Sequence, residues 1–203
     1  MNTRTRTRLT PEARKKQLLE VARELILQDG LQAFTMEALA RTANVSSPLV
    51  YNYFANRKET LRALLVHEYA GYTDKLIKDA AAATSFEEVV RIFVNSNFDH
   101  YAPGNIIPIL DSQPEIASAI AASSAAHGDQ IAQFLVSNAA DKYQLPRIKS
   151  ELVVSMSSGA SIAAAQYVAD HLSGKRATRR EQAVDTVVAY ILAGLEHIAG
   201  QES

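Results

Sequence analysis

The chain runs to 203 residues, with 47% hydrophobic and 21% charged side chains, no cysteine and a net charge of −1. This is ordinary globular composition, long enough for one large domain or a small one beside a larger one, and the missing cysteines exclude a disulfide framework, cysteine-ligated zinc and thiol catalysis. No apolar run approaches the ~20 residues of a membrane span, and the basic stretch from Met1 to Arg8 has no apolar segment behind it as a secretory signal would, so a cytoplasmic protein is expected.

Charge is unevenly distributed. Residues 1–62 carry 11 Lys/Arg against 6 Asp/Glu and residues 63–203 carry 10 against 16, so a head of +5 precedes a body of −6. That asymmetry suits a protein whose one end meets phosphates while the other avoids them. The first nine residues form a basic arm with Arg4, Arg6 and Arg8. Such an arm either lies along phosphates or in a minor groove, or is a solvated tail.

Strand signals are almost absent, alanine is abundant and apolar residues recur at three- and four-residue steps, which predicts an all-α fold. A first helix over 11–29 opens with Thr10 as N-cap and Pro11 at N1, and closes at Gly30, where a left-handed residue is wanted. Leu18, Val21, Ala22, Leu25 and Ile26 share its inner face. A short helix over 36–43 is capped by Thr35, with Met36, Leu39 and Ala40 inward. The turn Ala43-Asn44-Val45-Ser46 then supplies a small residue at a close approach, a residue that tolerates left-handed backbone, an apolar plug and a cap. The next helix, 47–54, holds Pro48 in its first turn and Val50 and Phe54 inward. Ser47, Pro48, Leu49, Asn52 and Tyr53 are left around its exposed side, the part that reaches base edges when such a helix enters a major groove.

The remaining helices are predicted near 57–82, 86–100, 114–143, 147–171 and 179–199, with a short piece around 105–110 between Pro103-Gly104 and the next cap. Capping boxes at Asn56/Glu59, Ser85/Glu88, Ser112/Glu115 and Thr178/Glu181 mark four of the starts. In the last helix Val184, Val188, Ile191, Leu195 and Ile198 form one apolar stripe, and Ala183, Val187, Tyr190 and Gly194 a second beside it, so this helix is buried on more than one side. The helix before it is rich in small residues from Ser155 to Ala165, which let helices approach closely, as in a four-helix interface between two copies of the chain.

The run from Phe34 to Ala40, then Ala43-Asn44-Val45-Ser46, then Leu49-Val50-Tyr51-Asn52-Tyr53-Phe54-Ala55-Asn56-Arg57-Lys58-Glu59-Thr60-Leu61, resembles the DNA-binding domain of the TetR family of bacterial regulators over roughly residues 12–65. The resemblance implies a homodimeric regulator, usually a repressor, released from its operator by a small ligand, with no cofactor and no catalytic residue. It implies a three-helix helix-turn-helix domain over 10–56 and a helical ligand-binding and dimerisation domain over 57–203. Residue by residue, it makes Thr35 a phosphate-contacting cap. Ser47, Pro48 and Leu49 become base-facing, and Tyr51 and Tyr53 hydrogen-bond phosphates. Arg57 stands where Lys is usual, at the start of the connecting helix, and Asn52 where an aromatic residue is commoner. For Tyr51 a ring packed between helices remains the competing reading.

In the body, His67, Tyr72, Asn97, Phe98, Tyr101, Asn138 and Gln166 interrupt apolar faces and are the candidate ligand-binding residues. His67, His100, His127, His171 and His197 show no metal-ligand spacing, no glycine-rich loop cradles phosphate, and no nucleophile elbow stands out, so an enzyme is not expected. The competing class is an all-helical binding protein or enzyme whose head docks a protein partner.

Overall fold

The computed structural model describes residues 9–171 and 176–201, and within them the side chains of all but 117–120, 122–127 and 176–178. The Arg4/Arg6/Arg8 arm lies outside the described residues. Every described element is helical: α1 Pro11–Asp29, α2 Met36–Thr42, α3 Ser47–Tyr51, α4 Arg57–Ala81, α5 Phe86–His100, α6 Ile107–Asp111, α7 Ala117–Tyr143, α8 Arg147–His171 and α9 Arg176–Gly200. Short 3₁₀ turns at Leu31–Ala33 and Pro114–Ile116 precede α2 and α7.

The caps explain most boundaries. Thr10 accepts from the Ala13 amide at 3.2 Å, with Pro11 following, and Gly30 ends α1 at φ 82°. Asn56 accepts from Glu59 N at 2.9 Å while the Glu59 carboxylate takes the Ala55 amide at 2.8 Å. Ser85 and Glu88 form the same reciprocal arrangement, with Glu88 reaching the Thr84 amide and hydroxyl at 2.7 and 3.0 Å. At Ser112 the expected box does not form, and at Thr178, whose side chain lies outside the described residues, the helix starts earlier than expected. The Ser112 hydroxyl donates to the Ile109 carbonyl at 2.8 Å and Glu115 pairs with Arg57, so α7 is entered through a 3₁₀ turn. Thr178 lies inside α9, which begins at Arg176.

Two compact units result, one of the residues up to Glu68 with Ile109–Ile120, the other of Tyr69–Pro108 with the residues from Ala121 on. The first is built around α1 to α3 and the start of α4. Leu18, Ile26, Phe34, Leu39, Val50, Phe54, Leu61, Leu64 and Leu65 are each no more than 1% exposed there. The second has α5 packed on both α8 and α9, which also pack on each other. Its core joins Val90, Val94 and Phe98 to Val153, Ala165, Val184, Val188, Ile191 and Leu195. Arg180 ties α9 to α5, donating to Asp99 at 2.7 Å and to the Asn95 carbonyl at 3.3 Å, and Arg91 pairs with Asp185.

The first stripe of α9 is therefore consumed inside the subunit. Val188 is 2% exposed within this core, so the stripe is buried against α5 and α8 of the same chain. What remains outward is the other side: Ala189, Tyr190, Ala193 and Gly194 on α9, and Ile148, Leu152, Met156 and Tyr167 on α8. By length and mean hydropathy alone, Arg147–His171 and Arg179–Gly200 are long and apolar enough to cross a membrane, although neither is an uninterrupted apolar run, and 28% of each apolar window is buried.

Candidate functional site

The head is a helix-turn-helix whose corner is set by Asn44 at φ 52°, in the left-handed region that asparagine tolerates better than most residues. Asn44 N donates to the Arg41 carbonyl at 3.1 Å and Val45 N to the Ala40 carbonyl at 3.0 Å, closing the turn between α2 and α3. Ala43, 8% exposed, sits at the close approach. Thr35 caps α2 through Ala38 N at 3.0 Å, and its residue stays exposed. Ser46 takes the N-cap of α3 without a side-chain bond. The helix is shorter than its apolar pattern suggests, ending at Tyr51, with Asn52 and Tyr53 in the turn beyond.

Val50 and Phe54 anchor α3 from below, which fixes what faces out. Pro48 and Asn52 are exposed, and Ser47, Leu49 and Tyr53 are half-buried. Tyr51 is 45% exposed, so its ring is not enclosed between helices, and its hydroxyl donates to Glu37 at 3.4 Å. Thr35, Ser47, Pro48, Leu49, Tyr51, Asn52 and Tyr53 thus all reach solvent at least in part, on or beside one short helix. This is a surface able to accept a nucleic-acid groove.

Arg57 is engaged elsewhere. Its Nε donates to the Phe34 carbonyl at 3.1 Å, one terminal nitrogen to the Leu31 carbonyl at 3.2 Å, and the other pairs with Glu115, while the guanidinium stands 6.0 Å from the Phe34 ring centre. Its neighbour Lys58 and Arg41 at the end of α2 are exposed and make no ion pair with a described residue. Neither was singled out from sequence, although both belong to the excess of positive charge in the head.

In the second unit a cavity of about 580 Å³ opens between α4, α5, α7 and α8, lined by Tyr72, Leu76, Phe93, Ser96, Asn97, Ile131, Leu135, Val154 and Ser158 among others. A second, smaller pocket of about 50 Å³ shares Phe93, Asn97, Leu135, Val154 and Ser158 with it and is lined also by Val90, Ser161, Ile191 and Leu195. Asn97 donates to the Ser161 hydroxyl at 3.0 Å. Burial pushes the Tyr72 phenol up, against a smaller opposing effect of its hydrogen bond with Ser96.

Of the seven candidate ligand-binding residues, Tyr72 and Asn97 line this cavity. Phe98 is 4% exposed in the core, and Tyr101 packs against that core with its hydroxyl accepting from Gln166 at 3.0 Å. Asn138 lines a separate surface groove and donates to the Phe134 carbonyl at 2.8 Å. His67 belongs to the first unit and is half-buried. Among the described residues no group of three His, Asp or Glu could hold a metal ion.

Residues 18–64 match the family model for bacterial regulatory proteins of the tetR family. The chain is 23% identical over 197 residues to the transcriptional activator FasR of Mycolicibacterium smegmatis, covering 94% of this chain and 87% of that protein. It is 30% identical over 95 residues to the transcriptional regulator BetI of Rhizobium meliloti, about half of either chain at 46% and 47%. In structure it resembles the transcriptional regulator FadR of Bacillus subtilis, solved in complex with stearoyl-CoA, at a TM-score of 0.64 and 16% identity, covering 85% of this chain and 97% of the other.

Proposed function

We propose that this chain, which belongs to the tetR family of bacterial regulatory proteins, is a sequence-specific DNA-binding transcriptional regulator that a small molecule releases from its operator. The observation that carries the reading is the corner at Asn44. It holds α2 and α3 in helix-turn-helix geometry and leaves Ser47, Pro48 and Leu49 outward at the start of the second helix. Those three are the base-reading residues in this proposal, with Asn52 beside them. Thr35, Tyr51, Tyr53 and Lys58 serve the phosphates. Arg57, whose donors are taken by its own fold, serves them by holding the loop before Thr35. The site of action is the chromosome, hence the cytoplasm.

The working unit is a homodimer through α8 and α9. Ile148, Leu152, Met156, Tyr167 and Tyr190 are 64, 56, 66, 59 and 65% exposed on one subunit. Apolar side chains in such a row on small-residue helices favour burial against a second copy. A two-fold pair also suits half-sites about 34–36 Å, or a multiple, apart.

The effector enters the cavity beside Tyr72 and Asn97, whose volume falls within the range of about 300–1,000 Å³ common for small-molecule sites. Tyr72 lies on α4, the same helix that begins at Arg57, so a ligand that prefers one position of that helix acts on an element that also reaches the head. FasR carries the name of an activator and aligns with most of the chain, which supports a second reading in which the regulator switches transcription on. The DNA-binding part is tested by titrating mixed-sequence duplex DNA at several salt concentrations. Binding that weakens steeply with salt supports it, because phosphate contacts release counterions. No binding at low salt would favour a head that docks a protein.

A further inference from the structure

The lining of the cavity carries more information than its size. Apart from Glu151, the polar side chains of its described lining are neutral: the hydroxyls of Tyr72, Ser96, Ser155 and Ser158, the Asn97 amide and, in the smaller pocket beside it, the hydroxyls of Ser157 and Ser161. The Ser96 hydroxyl already donates to the Phe93 carbonyl at 2.8 Å and Asn97 to Ser161 at 3.0 Å, so these groups are fixed in place. Among the described lining residues no side chain is positively charged, and the one charged group is the exposed carboxylate of Glu151. On α8, Arg147 lines an adjoining groove that shares Ala132, Val136 and Glu151 with the cavity, and it donates to Glu151 at 2.7 Å, while Lys149 is not among the lining residues. The remaining walls are apolar, and the smaller pocket beside Asn97 is otherwise lined by apolar residues and serines.

A cavity of this kind imposes a sign on its ligand. An anion carried inside would lose its water and meet no cation among the described lining residues. An uncharged oxygen function loses much less on entry and finds the Asn97 amide, held by Ser161, and the Ser158 hydroxyl. We propose that the effector is an uncharged, elongated lipophile, whose apolar end lies along the apolar walls of the cavity and whose single neutral oxygen function, a hydroxyl or an ester-type carbonyl, lies beside Asn97. The proposal rests on the reading of this cavity as the effector site, and it names the ligand class that reading leaves open. Free fatty acids in their ionised form are excluded by it.

The test is displacement of the neutral fluorophore N-phenyl-1-naphthylamine from the full-length protein at pH 8, with no DNA present. 1-Dodecanol and methyl dodecanoate are expected to displace it at concentrations at least tenfold below dodecanoate. Equal or tighter binding of dodecanoate overturns the proposal, as does failure of the fluorophore, the alcohol and the ester to bind at all. Ser158→Lys places a cation in the lining and is expected to reverse the order in favour of dodecanoate. Asn97→Leu is expected to weaken 1-dodecanol at least fivefold while leaving the fluorophore unchanged, and an unchanged alcohol affinity removes Asn97 as the polar anchor. The wild-type order is decisive even where a variant fails to fold. Duplex-DNA binding measured on the same preparation separates the two claims: DNA binding with the wrong ligand order sinks this inference alone, and loss of DNA binding sinks the regulator reading.

Discussion

Arg57→Ala separates two roles that one cation at the start of α4 can have. In the folded head its guanidinium donates to the carbonyls of Phe34 and Leu31 at 3.1 and 3.2 Å and pairs with Glu115, and its side chain is 34% exposed. Hydrogen bonds from a charged donor are worth about 1.5–3 kcal/mol each when shielded. Partial exposure brings the two carbonyl bonds toward the lower end, and a half-exposed ion pair adds at most ~1 kcal/mol. A loss of about 2–4 kcal/mol follows, because water reaches the vacated carbonyls and softens the penalty. For a chain of this size that is roughly 5–15 °C in the unfolding midpoint. The slope of log K against log salt for duplex DNA, by contrast, should stay within about 0.3 of the wild type, since no phosphate contact is removed. Lys58→Ala is the mirror image, with unchanged unfolding and a slope shallower by about 0.9. Differential scanning calorimetry and fluorescence anisotropy at four salt concentrations give both numbers. If Arg57→Ala unfolds like the wild type while its slope drops by about one, the side chain leaves its carbonyls to meet phosphate, and the internal tie is not what holds the loop.

Exchanging Leu49 for Gln should change sequence preference by roughly 1–3 kcal/mol at one base step, measured by competition between selected and random duplexes; equal losses on both would make Leu49 structural. Met156→Arg, on a residue 66% exposed within one subunit, should leave helix content intact and produce monomers by sedimentation, since an unpaired charge in a covered seam costs at least several kcal/mol. Val188→Arg, by comparison, should fail to fold, because that residue is 2% exposed in the subunit's own core; a soluble dimeric Met156→Arg would move the interface elsewhere. The hydrogen bonds from the Thr84 amide and hydroxyl hold the Glu88 carboxyl below its ordinary pKa. Its contribution to stability is therefore present above the unfolded value of about 4.3 and lost as pH falls through the lower folded one. Glu88→Gln should flatten the acid side of the stability curve, and an unaltered acid limb in urea titrations would refute the assignment.

What could be read from sequence was what local chemistry decides. Thr10-Pro11, Gly30, Asn44, Asn56/Glu59 and Ser85/Glu88 each set a chain reversal or a helix start through partners within four residues, and all behave as their spacing predicts. Ser112/Glu115 has the same spacing and fails, because Glu115 is drawn to Arg57, 58 positions away in sequence. A local pattern cannot register a competitor that only the fold brings near. The same limit governs Arg57, whose place beside a phosphate-binding segment is plain in the sequence while the carbonyls of Leu31 and Phe34 that occupy it are not.

The last helix shows a second kind of limit. Periodicity told correctly that Val184, Val188, Ile191 and Leu195 are buried, but a stripe does not say by whom, and α5 reaches it before any second subunit can. The face left outward is the one with Ala189, Tyr190, Ala193 and Gly194, where small and aromatic residues give only a weak apolar signal. The cavity is harder still, because a void is a property of spacing between helices and not of any helix. Tyr72 and Asn97 could be found because a polar group on an apolar face needs a reason. Phe93, Leu135 and Val154 could not, since a core residue and a cavity wall have the same chemistry and differ only in what stands opposite. It follows that charge is the informative quantity in such a lining. Apolar walls are chemically alike, whereas one cation among them decides whether the ligand is an anion, and here the described lining has none.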